Sequence, residues 1–185
     1  ASDQTVTVNF TMLEVPAAEG SDFVPTAGTL IFLPGEISKP ITIQVKGDLL
    51  NEETEYFTVN LSNPANAFVN VGQATGTIVD DDPLPTLAVN DVQISEGNSG
   101  TTNADFTVSL SAPSGRWVSV YYQTTSGTAL QGNDYLYQSG WLNFAPGQLS
   151  QTVNVRVNGD TLREADETFS VNLSSPSNAT LGDAQ

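Results

Sequence analysis

The chain has 185 residues, 38% of them hydrophobic, enough to fill one large or two ordinary domains, and it sets 21 acidic side chains against five basic ones for a formal net charge of -16. So few cations exclude nucleic acid as a partner and disfavour an anionic membrane surface, whereas surplus carboxylates suit divalent cations. With neither Cys nor His, the chain has no disulfides, no thiolate or imidazole zinc site and no Ser-His-Asp triad; no apolar stretch reaches the roughly 20 residues that span a bilayer, so direct membrane insertion is not expected.

In chain order, Val6, Val8 and Phe10 alternate with polar residues and predict a half-buried strand. A Gly20-Ser-Asp-Phe23 turn follows, then a strand in Gly28-Thr-Leu-Ile-Phe32 that stops at Pro34-Gly35. Ile41, Ile43 and Val45 predict the next strand, an acidic loop carries Asp48, Glu52 and Glu55, and Phe57, Val59 and Leu61 resume the period of two. Thr77-Ile-Val79 closes this half. The run Asp80, Asp81, Asp82 with Pro83 and Pro85 marks a boundary, and Thr86-Leu-Ala-Val89 opens the second half. There the acids are Glu96, Asp134, Asp160, Glu164 and Glu167, and Val153, Val155 and Val157 form the clearest strand. No helical spacing is sustained, so the expected fold is all-β and antiparallel, built as a sandwich.

The two halves repeat. Gly20-Ser-Asp-Phe23 matches Gly132-Asn-Asp-Tyr135, an offset of 112 residues that holds for Gly28/Gly140, Pro34-Gly35/Pro146-Gly147, Gly47-Asp48/Gly159-Asp160, Glu52/Glu164, Glu55/Glu167 and Phe57/Phe169. Two tandem sandwich domains are expected, residues 1–82 and 83–185. The first lacks the counterpart of residues 85–112 and the second lacks the counterpart of the strand at 76–79, so both are expected to be truncated by the chain ends, as a window on a longer series would be. Trp117, Trp141, Tyr122 and Phe32, Phe57, Phe106, Phe144 and Phe169 are expected to pack in the core or across strands.

Twelve of the 21 acids sit at repeated strand ends or at the domain boundary, and loops distant in sequence meet at the ends of a sandwich. Carboxylates brought together there repel unless a cation neutralises them, and Ca²⁺, which takes roughly 6 to 8 oxygens in flexible geometry, fits better than Mg²⁺. The bland alternative is a set of solvated turn formers. Glu52 and Glu55 could formally serve as acid and base, but no recognisable catalytic motif accompanies them, and the chain is not expected to be an enzyme.

Together, Gly20-Ser-Asp-Phe23, Gly28 to Glu36, Glu52-Glu-Thr-Glu-Tyr-Phe57, Leu61-Ser-Asn-Pro64, Thr77 to Asp82 and Ile94-Ser-Glu-Gly97 resemble the Calx-beta domain family over nearly the whole chain. The resemblance implies seven-stranded immunoglobulin-like sandwiches with a calcium cluster at one end. Its ligands would be Asp22, Asp48, Glu52, Glu55, Asp80, Asp81 and Asp82 in the first domain, and Glu96, Asp134, Asp160, Glu164 and Glu167 in the second. Gly47 and Gly159 stand where strong calcium binders of the family carry an Asp, which implies fewer ions, and the first domain is expected to be the better occupied. The functional expectation is a calcium-rigidified structural or adhesive repeat of an extracellular or cell-surface protein, bacterial in origin, contacting neighbouring repeats and a surface protein or glycan. The competing expectations are a carbohydrate- or protein-binding accessory module using Tyr121, Tyr137 or Trp141, and calcium-regulated domain motion.

Overall fold

The computed structural model describes residues 2–14 and 22–183, so Gly20 and Ser21 of the first turn motif and the last two residues lie outside it. The chain divides into two units, Ala1–Leu49 with Glu53–Asp81, and Leu50–Glu52 with Asp82–Gln185. No helix among the described residues is long and apolar enough to cross a membrane.

In the first unit, β1 (Val6–Glu14), β2 (Gly28–Phe32), β3 (Glu55–Ala65) and β4 (Gln73–Ile78) form one antiparallel sheet in the order β2-β1-β3-β4. The register sets Val6 opposite Phe32, Val8 opposite Leu30 and Phe10 opposite Leu61. Period-two alternation therefore collects one apolar face.

The described residues of the second unit form a two-layer immunoglobulin-like sandwich of seven strands: β5 (Thr86–Val89), β6 (Thr101–Leu110), β7 (Val118–Ser126), β8 (Ser139–Phe144), β9 (Ser150–Asn158), β10 (Phe169–Ser177) and β11 (Thr180–Asp183). One sheet runs β10-β7-β8 and the other β11-β5-β6-β9, antiparallel except for the parallel pair β11 and β5. Leu87 and Val108 from one sheet and Val118, Val120 and Phe144 from the other are almost wholly buried in one core.

Equivalent details recur in both units. Asn63 and Asn66 adopt positive φ (50° and 58°), as Ser175 and Asn178 do 112 residues later (51° and 56°). Asn66 Nδ2 donates to Thr5 O at 2.9 Å, and Asn178 Nδ2 donates to Trp117 O at 2.8 Å. Each side chain holds a break in strand register, between Thr7 and Asn9 and between Ser174 and Ser177.

Two expectations are corrected. The strand at Ile41 to Val45 does not form; it keeps one bridge, Val45 to Phe23, although its equivalent Val153 to Val157 lies in β9. The cause is pairing: β9 is zipped to β6 from Ser150 to Asn158, and a strand of β6 type is absent among the described residues of the first unit. Trp117 is not a core residue, being 62% exposed, and Trp141 reaches outward to pack its ring edge-on against Tyr121, centroids 5.5 Å apart, as a cross-strand pair.

Candidate metal centre

Three segments build the acidic end of the second unit. The first is the turn after β7, where Asp134 accepts a hydrogen bond from the Leu130 amide at 2.6 Å through Oδ2 and returns its own amide to Leu130 O at 2.9 Å. Gly132, at φ 90°, makes this turn possible. The Asp134 carbonyl then accepts the Asn158 amide at 2.8 Å, which fastens the turn to the end of β9.

The second segment leaves β9. Asp160 Oδ1 accepts the Leu162 amide at 2.6 Å, a side-chain turn that redirects the chain into the loop bearing Glu164 and Glu167. The third precedes β6, where Thr102 Oγ1 donates to the Glu96 carbonyl at 2.8 Å. Gly159 joins these two: its amide donates to Gly100 O at 3.0 Å, and a Cβ there would lie 2.7 Å from Glu96 O and 2.8 Å from Gly97 O. Only glycine permits that approach.

The result is two overlapping groups of carboxylates. Oxygens of Glu96, Asp160 and Glu164 lie within 4.8 Å of one another, and so do those of Asp134, Glu164 and Glu167. Glu164 belongs to both. Two oxygens bound to one Ca²⁺ at about 2.3 to 2.6 Å each can be no more than roughly 5 Å apart, so these spacings suit that ion. The electrostatics carry the same signature. Glu164 is raised above the ordinary glutamate range by partial loss of hydration and then by the charges of Asp160, Asp134 and Glu96. Glu167 is raised by the same loss of hydration, then by the charge and hydrogen bond of Asp134 and the charges of Glu164 and Glu96.

In the first unit the Asp22 turn keeps the equivalent frame, its carbonyl accepting the Lys46 amide at 2.9 Å, and oxygens of Asp22 and Glu55 approach within 4.8 Å. Glu52 falls in the short segment that groups with the second unit. There Asn51 Nδ2 donates to Asp82 O at 2.9 Å, the Asn51 carbonyl accepts the Gly115 amide at 3.1 Å, and Glu52 packs over Gly115. Asp48, Asp80, Asp81 and Asp82 enter none of the close carboxylate groups among the described residues. The denser gathering therefore lies in the second unit, whereas the sequence led to the expectation that the first would be the better occupied. The residue that sequence reading undervalues is Gly159, which looks there like the loss of an acid. A Cβ at its counterpart Gly47 would meet nothing within 4 Å. A lone glycine opening an acidic loop was the available signal.

Fold and site together define a β-sandwich protein whose loops concentrate carboxylates at one end. The Calx-beta domain pattern matches residues 1–82 and 85–184, and the chain belongs to that family. It is 30% identical over 192 residues to the rat sodium/calcium exchanger 1, covering 93% of this chain and 20% of the exchanger, and 30% identical over 194 residues to the human sodium/calcium exchanger 2, covering 94% and 21%. The chain thus spans about a fifth of the length of these relatives. Among solved structures it is similar to the calcium binding domain CBD12 of CALX1.1, with 26% identity, 94% of this chain and 68% of that one covered, and a TM-score of 0.43. These matches to animal sodium/calcium exchangers overturn the expectation of an extracellular or bacterial cell-surface protein.

Proposed function

We propose that the chain is a calcium-binding regulatory module whose principal site is the carboxylate cluster of the second unit, with Glu96, Asp134, Asp160, Glu164 and Glu167 as ligands. The observation that carries this reading is the sharing of Glu164 between two carboxylate groups. A divalent cation supplies the charge that lets these oxygens stay together. The protein's part is to aim them: the Asp134 turn is fixed to β9, the Asp160 side chain folds the following loop, and Gly159 admits the Glu96 segment. Without a cation, repulsion favours separation of the three segments; with one, they become a single ordered end. The first unit contributes a secondary site around Asp22 and Glu55. Membership of the Calx-beta family and the kinship with sodium/calcium exchangers support a role in reporting calcium to a longer protein. Binding, not catalysis, is the chemistry this reading assigns, in a chain without histidine or cysteine.

Calorimetric titration of Ca²⁺ into the chain, paired with thermal melting, tests the proposal. Binding should raise the melting temperature, and Glu164→Gln should remove most of the heat because it depletes both groups at once. Absence of heat and of any thermal response at millimolar Ca²⁺ would overturn it.

A further inference from the structure

The sequence holds one Asn-Gly step, Asn158-Gly159, and it falls where β9 ends and the acidic loop begins. At such a step the side-chain amide is open to attack by the next residue's nitrogen, because glycine has no Cβ to crowd the approach. Here both reacting groups are held. The Asn158 side-chain amide donates to Asn133 O at 2.6 Å and to Gly132 O at 3.4 Å, and the Gly159 amide donates to Gly100 O at 3.0 Å. Both residues are half-buried, so neither is sealed from water.

These three bonds tie together the segments that carry the carboxylates: the Asp134 turn, the end of β9 and the stretch before β6. The first unit separates what the backbone does from what the side chain adds. Lys46 stands 112 residues before Asn158, and its amide donates to Asp22 O at 2.9 Å as the Asn158 amide donates to Asp134 O at 2.8 Å. The backbone clasp is thus common to both units. The clamp on the carbonyls of residues 132 and 133 needs the asparagine side chain, and a lysine before Gly47 has no carbonyl carbon from which an imide could form.

We propose that Asn158-Gly159 is a deamidation site gated by the cation, and that its conversion disables the carboxylate cluster; this rests on the calcium reading above. With a cation bound, the three segments form one ordered end and the Gly159 amide stays bonded to Gly100 O. When the cation leaves, carboxylate repulsion parts the segments and releases both groups together. The Gly159 nitrogen then gives up its proton and attacks Asn158 Cγ, the Cγ–Nδ2 bond breaks, and ammonia departs with that proton. Water opens the resulting five-membered imide at either carbonyl, leaving aspartate or isoaspartate. One water is taken up and one ammonia released, with no change of oxidation state.

The product cannot restore the clamp. A carboxylate only accepts hydrogen bonds, so at residue 158 it would face two carbonyl oxygens with no proton to share. It also adds negative charge to the end where Glu96, Asp134, Asp160, Glu164 and Glu167 already crowd. Isoaspartate in addition lengthens the main chain by one carbon just before Asp160.

Peptide mapping by mass spectrometry tests this on the whole chain, aged in mildly alkaline buffer with Ca²⁺ or with a chelator, beside a free peptide of residues 154–163. Calorimetry on the same samples records whether Ca²⁺ binds. Because attack requires an empty site, Ca²⁺ at about a hundred times its Kd should slow conversion at Asn158 by at least about tenfold, while the chelated chain converts at a rate nearer that of the peptide. The aged chain and an Asn158→Asp variant should each bind Ca²⁺ about 10- to 100-fold more weakly; the aged chain gives this comparison whether or not the variant folds. Equal rates with and without Ca²⁺ in a chain that gives binding heat would overturn the gating and leave the calcium site standing. No binding heat at all would sink the calcium reading and this proposal with it. Undiminished Ca²⁺ affinity after ageing would overturn the claim that conversion disables the cluster.

Discussion

The two units use one sequence pattern to reach different degrees of burial. Phe144 is 0% exposed while Phe32, 112 residues earlier, is half-buried; Val155 and Leu173 are buried while Ile43 and Leu61 are half-buried. The strands that bear them share their bulges, their asparagine locks and their turn bonds, so local propensity does not explain the contrast. What differs is the sheet of β5 and β6, which lies over the apolar face in the second unit and has no equivalent among the described residues of the first. Alternation creates an inner face, and only a second layer turns that face into a core.

The largest expected effect follows from this. Phe144→Ala should cost the second unit about 3–5 kcal/mol, the range for emptying a packed aromatic site, whereas Phe32→Ala should cost the first well under half as much. Denaturant unfolding followed by hydrogen exchange in each unit measures both, and equal losses would break the comparison. Next come the paired glycines. Gly159→Ala should weaken Ca²⁺ binding about 10- to 100-fold, as loss of a supporting contact around a metal typically does, by pushing the Glu96 segment away. Gly47→Ala, with open space around it, should leave calorimetric titrations unchanged.

The smallest effect is a difference in the sign of pH dependence without calcium. Glu164 and Glu167 are raised, so their contribution to the second unit is fully present below the unfolded glutamate pKa and is lost as pH rises through their folded values. Glu36 of the first unit is lowered, by the Lys39 ammonium at 2.8 Å and the Leu33 amide at 2.7 Å. Its contribution is present above the unfolded pKa and is lost as pH falls through the folded value. Melting curves across the acidic range should show Glu164→Gln and Glu167→Gln flattening the first trend, and Glu36→Gln flattening the second. A second unit that gains stability from about pH 5 to 7 through these two residues would contradict the crowding.

The all-β fold and the repeat were legible because period-two alternation and turn residues are local signals. The fate of Ile41 to Val45 was not legible, since a strand exists only with a partner and the pattern there is as good as in β9. Nor could alternation tell that Trp141 faces outward to meet Tyr121, because large aromatics serve both faces of a sheet. At the site, the acids themselves could be read from the repeat. Their grouping depended on how closely the segment before β6 approaches β9, and Gly159 sets that approach through its missing side chain.

The parallel pairing of β11 with β5 gives the second unit a particular route to completion. Thr180 and Thr86 open that ladder, and the Thr180 amide bonds to Pro85 O at 2.9 Å, so β5 and β11 seal each other. Closing so long a loop is entropically late. During synthesis the hairpins can form as they emerge, but the clasp waits until residue 183 has cleared the ribosome, and until then Leu87 lacks the neighbour that finishes its enclosure. A stalled or clipped nascent chain would present that leucine to chaperones.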